Sequence, residues 1–522
     1  MLKKMLGLKY KLKTLFSTFA GNKTRKTRKE IDMKRKLFSF FALICAFISF
    51  AAPAVKDVPY RIEVKMPEIK DNTNVFLAFY YNGKTYLKDT TKFNSKGVAV
   101  FDGNLKKDQD KRKLDEGVYI VYFKKDSINF KTDRYFEFVI GKDQNIKLKA
   151  DTAGMVPVAT QGEETVRFTN LLKFMSNKNT ERKKCFEDKK AGKIDSVTFE
   201  AKLKKLSDEV EAFQKKEIET TKGSFYSAFV KGTIQVEVPD FAELPDTARA
   251  MARYQFTKNH FFDNINLSDP RMLRTPYFPE KVDYYMTRLI PIPDSLFAAA
   301  DVLIQKSEGN KETYQTMLSK MMNYGLKSNQ MGMDKMWYQI AEKYYLSGKA
   351  DWADSSWIED LKAECKKVRY NMIGMTAKNL RMRGIDSTQI QLKDLRPENG
   401  KNEFVLVYFF EPSCGHCKKI TPVLHDSVYV KYKDKGFEVF CCYTQTDKKE
   451  WIDFLDKHKL HDWVNVWDPN RESYFWEFYD ATVTPGVYLL DKERKIVAKK
   501  ISTESLDQIL EEELIKRKQQ KK

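Results

Sequence analysis

Seven apolar residues in succession, Phe404-Val-Leu-Val-Tyr-Phe-Phe410, constrain this chain most. Such a run reads as a strand buried on both faces, as in the middle of a parallel sheet. Glu411-Pro-Ser413 follows as a turn, and helical spacing then takes over through Ile420, Val423, Leu424 and Val428. Cys414-Gly415-His416-Cys417 therefore opens a helix. Unpaired N–H groups and the positive end of the helix dipole stabilise a thiolate on the first cysteine. The second lies one turn on, close enough to form or resolve a disulfide. This is the candidate redox site, with Cys414 and Cys417 as its reacting groups.

A chain of 522 residues accommodates roughly three domains of ~150 residues each. The net charge of +21 would suit a nucleic acid or an anionic membrane, but its placement argues against both. Residues 1–36 alone hold thirteen Lys/Arg against Glu30 and Asp32, and a second basic cluster is confined to the tail at 516–522. From Met33 the chain reads as a secretory signal: Met-Lys-Arg-Lys, then apolar Leu37–Phe50, then Ala52-Pro-Ala54 as a small-residue cleavage site. Met33 is the expected start, with 1–32 an upstream extension. Cys45 follows Ile44, a poor match to a lipoprotein signal. The apolar run is short for a span of ~20 residues, so membrane association is expected only through an uncleaved N-terminus. An exported chain meets an oxidising compartment. Its remaining cysteines, Cys185, Cys365, Cys414, Cys417, Cys441 and Cys442, are too few for a disulfide scaffold, and only one pair has a meaningful spacing.

The organisation expected is multidomain. Residues 1–54 form the extension and signal peptide. Residues 55–152 form an antiparallel β-sandwich, with strands at Tyr60–Met66, Asn74–Tyr81, Gly97–Phe101, Gly117–Phe123, Arg134–Ile140 and Asn145–Ala150, and Asn82-Gly83 as a hairpin turn. Residues 153–368 form an all-α domain. Phe199, Leu203, Leu206, Val210 and Phe213 mark one long amphipathic helix, and others are expected at 165–175, 247–260, 280–289, 294–305, 311–326, 334–346 and 354–368. Residues 369–522 form an α/β unit. Its expected elements are a leading strand at Gln389–Leu395, the buried strand, strands at Gly436–Tyr443 and Trp463–Trp467, and helices at 448–458 and 471–479. Thr484-Pro485-Gly486 then leads into Val487–Leu490, a hairpin with Lys495–Ala498 follows, and a last helix covers 505–516.

That order, with Cys-x-x-Cys after the buried strand and Thr-Pro before a later one, resembles the thioredoxin superfamily. More closely it is similar to exported thioredoxin-like proteins of the cytochrome-maturation and AhpC-TSA-like type. The overall layout also resembles envelope proteins of Gram-negative bacteria that place β and helical domains of unknown function before such a module. The resemblance implies that Cys414 is the exposed nucleophile, Cys417 the buried resolving thiol, and Thr484-Pro485 a cis-proline peptide along which an extended substrate binds. It implies protein dithiols or disulfides as substrates, an unidentified electron-donor or acceptor protein as partner, and no cofactor or metal. The intervening Gly415-His416 matches protein disulfide isomerases, and a His beside the thiolate should raise the potential above thioredoxin's ~−270 mV. Three departures stand out. Ser413 replaces the usual Trp, Tyr408 stands where a cytosolic thioredoxin carries a buried acid, and Ile420 stands where maturation-type proteins often carry Glu. The general acid/base for Cys417 is therefore unidentified.

Rival readings are weaker. A zinc site lacks a second ligand pair beyond His458 and His461. A peroxidase lacks the required residues before Cys414, where Val407 and Glu411 stand. Cys441 and Cys442 read as packing residues. The strongest rival is an envelope binding or assembly protein with an accessory redox domain. Sequence leaves the direction of electron flow open.

Overall fold

In the computed structural model, Asn74–Tyr81 is a strand, and Asn82 and Gly83 at φ 45° and 79° return the chain into Lys84–Lys92. Left-handed angles at both turn residues match the twist of a tight hairpin. The structure describes residues 58–69, 71–106, 112–123, 135–151, 155–290, 293–395 and 403–520. The extension and signal peptide expected at 1–54 lie outside them. The described residues divide into two compact units, one within 58–240, 260–265 and 271–280, the other within 241–259, 266–270 and 281–520.

In the first unit, eight strands form two four-stranded sheets. They are β1 (Arg61–Lys65), β2 (Asn74–Tyr81), β3 (Lys84–Lys92), β4 (Val98–Asp102), β5 (Gly117–Tyr122), β6 (Tyr135–Ile140), β7 (Asn145–Lys149) and β8 (Val158–Gln161). Sheet β4-β1-β7-β8 shares one core with sheet β3-β2-β5-β6, through Ile62, Val64, Phe101 and Ile146 on one side and Leu77, Val121 and Phe138 on the other. The antiparallel expectation needs correction at one ladder: β1 and β7 run parallel, Ile62 opposite Ile146 and Val64 opposite Leu148. Both alternate buried and exposed residues, and that pattern is the same for either strand direction. The sheet also extends beyond residue 152 through β8, whose four residues bury only Ala159 and so carry no readable alternation.

Helices α1 (Glu163–Lys190) and α2 (Ser196–Thr220) follow. The stripe expected on α2 meets α1 through ring pairs Phe174–Phe213 and Phe186–Phe199, yet no α2 residue is fully buried. Helix α3 (Phe225–Thr233) was not expected. Phe225, Tyr226, Phe229 and Val230 are all buried, so its sequence shows no polar face. The later helices fall where expected: α4 (Asp246–His260), α5 (Phe278–Tyr284, continued by a π segment Tyr285–Leu289), α6 (Pro293–Lys306), α7 (Lys311–Lys327), α8 (Met333–Ile340, continued by a π segment Ala341–Tyr345) and α9 (Ser355–Val368).

The second unit holds a seven-stranded sheet in the order β10-β9-β13-β12-β11-β14-β15. Its strands are β9 (Arg381–Gly384), β10 (Gln389–Gln391), β11 (Phe404–Phe410), β12 (Phe437–Tyr443), β13 (Val464–Trp467), β14 (Gly486–Leu490) and β15 (Ile496–Lys499). β11 pairs parallel with β12 and antiparallel with β14, and all seven of its residues are buried. Phe404, Leu406, Tyr408 and Phe410 point into one core, while Val405, Val407 and Phe409 point into the other. At about 1.5–3 kcal/mol per buried large apolar side chain, this strand is a firm anchor for the loop that follows it.

Two local expectations change. The leading strand is only β10, followed by a tight turn, and it pairs with the unforeseen β9. The helix expected at 471–479 shrinks to α12 (Phe475–Phe478). Arg471 and Tyr474 sit at φ 57° and 54°, and the Asp468 carboxylate accepts the Glu472 and Ser473 N–H groups, which turns the chain before a helix can run. No loose linker separates α9 from the sheet. Arg369 pairs with Glu477, and the Asn371 amide donates to Lys367 O (2.6 Å) and Phe478 O (3.0 Å). Lys499 donates to Asn371 Oδ1 at 2.8 Å and forms a buried ion pair with Asp334 on α8.

Candidate active site

β11 delivers the chain to Glu411-Pro412-Ser413, and Cys414 caps the helix that follows. That helix is α10 (Gly415–Val423), extended by a π segment Leu424–Tyr429 to Val430–Tyr432. The Cys414 sulfur accepts the Cys417 N–H at 3.4 Å, the place a serine or aspartate oxygen usually takes at a helix start. Nothing lies within 4 Å of where a Gly415 side chain would begin, so the mouth beside the sulfur is open. Cys414 is partly exposed, whereas Cys417, one turn along, is wholly buried.

The two thiols are driven apart. Burial works to raise Cys414, but hydrogen bonds from Cys417, from the Thr484 side chain and from the His416 backbone outweigh it and hold the thiol below its ordinary value. Burial pushes Cys417 up to about 12. Ordinary cysteine titrates near ~8.5, so at neutral pH Cys414 carries the greater thiolate fraction.

The Thr484–Pro485 peptide is cis, and the Cys414 thiol lies 3.4 Å from the Thr484 carbonyl oxygen as its donor. Thr484, 70 positions away in sequence, therefore lies against the first cysteine, with Pro485 following it across the cis peptide. His416 is exposed on the first helical turn, and its backbone N–H rather than its ring is the part that acts on Cys414. Cys441 and Cys442 separate. Cys441 lies opposite Tyr408 in the β11–β12 register and joins the core that holds Cys417, while Cys442 faces the other core. His458 packs at a tilt against Phe454 and His461 pairs with Asp456. Among the described residues, no group of three or more His, Cys, Asp or Glu could hold a metal ion.

Residue-by-residue reading missed Thr421. It lies one helical turn beyond Cys417, fully buried, with its Oγ1 2.8 Å from the Tyr408 hydroxyl. Tyr408 and Cys417 belong to the same core cluster. The signal was present in the four-residue spacing from Cys417, which places Thr421 on the helix face that turns inward.

Residues 402–496 match the family described as Thioredoxin-like, and residues 201–374 match a Domain of unknown function (DUF5106). No curated protein matches. Solved structures similar to this chain include a domain of a possible thiol-disulfide isomerase from Cytophaga hutchinsonii, 32% identical over 28% of this chain and 97% of that one, with a TM-score of 0.26. Another is the thioredoxin domain of a thiol-disulfide oxidoreductase from Bacteroides vulgatus, 28% identical over 27% and 96%, TM-score 0.25. A thioredoxin-like protein from Bacteroides caccae is 19% identical over 53% and 97%, TM-score 0.39. Through its C-terminal domain, the chain belongs to the thioredoxin superfamily.

Proposed function

We propose that this protein is an exported thiol-disulfide oxidoreductase, exchanging disulfides with proteins of the cell envelope of a Gram-negative bacterium through Cys414-Gly415-His416-Cys417. The observation that carries the reading is the asymmetry of the pair: an accessible thiol lowered at a helix N-terminus, and a buried thiol raised one turn behind it. Cys414 thiolate attacks a substrate disulfide, forming a mixed disulfide and releasing one substrate sulfur. Cys417 then attacks Cys414, closing the Cys414–Cys417 bond and releasing the second substrate sulfur, so two electrons pass to the substrate. An extended substrate segment would lie along Thr484-Pro485, beside the exposed Val483. The same steps in reverse oxidise a dithiol, and a partner protein sets the direction by supplying or removing electrons. Export is supported by the charged run, apolar stretch and Ala52-Pro-Ala54 that follow Met33.

The test is insulin disulfide reduction by the full chain beside its Cys414→Ser variant. Loss of the activity in the variant supports the reading. Equal rates would favour an envelope binding protein with an accessory redox domain. Thiol trapping in cells then gives the direction: a reduced pair marks a reductase or isomerase, an oxidised pair an oxidase.

A further inference from the structure

The loop that leads into Thr484-Pro485 carries a ring in an unfavourable place. Tyr474 is 54% exposed, and its backbone sits at φ 54° in the left-handed region. A bulky residue is an outlier there, and glycine or asparagine fits more readily. Such a conformation persists only where its surroundings over-determine it. Here they do. Just before the ring, the Asp468 carboxylate accepts the Glu472 N–H, the Ser473 N–H and the Ser473 hydroxyl. Just after it, the Tyr474 carbonyl accepts the N–H groups of Glu477 and Phe478. The Phe478 carbonyl in turn takes the Asn371 amide, and Glu477 pairs with Arg369. The loop is a rigid mount that holds an aromatic ring in solvent.

Two more rings complete a ledge. Trp476 and Phe478 lie 5.6 Å and 6.3 Å from Tyr474 between ring centroids, and both are half-buried against the core beneath them. Phe475, between Tyr474 and Trp476 in the chain, is buried and stacks on Phe409 at 5.8 Å. Phe409 is one residue from the end of β11 and lies opposite Gly486, which follows Pro485. The ledge therefore stands at the end of the sheet where β11 hands the chain on to Cys414 and where Thr484-Pro485 enters β14. Val483, 68% exposed, is a further apolar side chain one residue before Thr484, whose carbonyl accepts the Cys414 thiol at 3.4 Å.

We infer that Tyr474, Trp476 and Phe478 form a recognition ledge, selecting polypeptide substrates that carry a large apolar or aromatic side chain within a few residues of the reacting half-cystine. An extended segment advances ~3.3 Å per residue, so a substrate whose sulfur meets Cys414 brings its flanking side chains past this loop close to the bond. A ring or branched aliphatic group settling there buries apolar area and gains offset or edge-to-face ring contacts. The rings are already immobilised, so binding orders little on the protein's side. The occupant is a substrate segment and not a second copy of this chain, because the ledge is continuous with the redox site both along the chain and at the end of the sheet. These residues set specificity and take no part in the sulfur chemistry.

The inference rests on the proposed exchange activity and gives it a substrate class. The reduced full chain, freed of reductant, is mixed in excess with self-quenched fluorescent peptides joined in pairs by a single disulfide. The parent peptide is alanine-based, and a panel moves one phenylalanine position by position along both flanks of the cysteine. The quantity read is the ratio of the second-order rate constant for the best phenylalanine peptide to that for the parent. In wild type this ratio should be about tenfold, and in Tyr474→Gly, which suits the left-handed backbone while deleting the ring, it should fall to about twofold. Trp476→Ala should lower it alike, and Tyr474→Phe should restore it. The ratio is taken within each protein, so a purely structural role slows both peptides and leaves it unchanged. A wild-type ratio near one overturns the inference, as does a ratio that survives in both Tyr474→Gly and Trp476→Ala. Should Trp476→Ala fail to fold, Tyr474→Gly decides, since Tyr474 stands outside the core. Wild-type dimerisation in sedimentation that Tyr474→Gly abolishes would assign the ledge to a second copy and overturn the inference too. A reduced wild-type chain that attacks 5,5′-dithiobis(2-nitrobenzoate) no faster than a free thiol would instead overturn the exchange activity itself, and the inference with it.

Discussion

The two faces of the seven-stranded sheet differ in what they do with polar groups. On the face packed against the active-site helix, Tyr408, Thr421, Cys417 and Cys441 come together within an otherwise apolar core. On the opposite face, Phe409, Phe475, Tyr479 and Tyr488 form an aromatic cluster whose hydroxyls end on backbone carbonyls. Both faces are buried, one on either side of the same strand. One spends its polar groups on contacts that close the core, and the other sets Cys417 one helical turn behind Cys414. Burial alone therefore does not make a buried tyrosine or cysteine functional. The partner it meets does.

The largest difference between the faces should appear in turnover. Cys417→Ser should form a mixed disulfide with insulin and stall, with steady-state reduction at background, while Cys442→Ala on the other face should keep its rate. Loss of activity in Cys442→Ala would break the comparison. Stability should show the reverse weighting. Phe409→Ala should cost about 3–5 kcal/mol in denaturant unfolding, as expected for deleting a buried ring. Its Cys414 alkylation rate should not change. Asp334→Ala leaves Lys499 buried without its carboxylate and should cost a similar ~3–5 kcal/mol. It too should leave alkylation of Cys414 unchanged, since the ion pair lies away from the sulfurs.

The smallest expected effect is a pH dependence of opposite sign for the two thiols. Cys414 is lowered in the folded state. Its contribution to the stability of the reduced protein is present above the unfolded cysteine value near ~8.5 and is lost as pH falls through the folded value. Cys417 is raised to about 12. Its contribution is present below ~8.5 and is lost as pH climbs toward 12. The unfolding free-energy difference between wild type and Cys414→Ser should grow as pH rises to ~8.5. The difference for Cys417→Ser should shrink above that point. Parallel curves would show that the two sites do not differ electrostatically.

Where local physics decides an element, sequence reading reached it. Seven apolar residues, mostly valine and aromatic and closed by Glu411-Pro412, read as a strand with two covered faces, and Cys414 at a helix start follows from the change of period after Ser413. Asn82-Gly83 announces its hairpin for the same reason. Elements decided by distant partners stayed out of reach. β8 exists because β7 offers it an edge, and the parallel β1–β7 ladder depends on topology that alternation cannot express. The helix expected at 471–479 failed because the Asp468 side chain captured two backbone N–H groups. At the site, Tyr408 is visible as a departure from a family pattern, but its hydroxyl partner Thr421 is found only by carrying the helical spacing on from Cys417.

Titration of the two thiols tests the central claim most directly. Iodoacetamide alkylation of the reduced full chain, followed from pH 4 to 10 with Cys417→Ser as reference, reads the ionisation of Cys414. A midpoint below the ~8.5 of an ordinary cysteine, with Cys417 unreactive throughout, is the expected result. A Cys414 midpoint at or above ordinary cysteine would contradict it and remove the chemical basis for exchange.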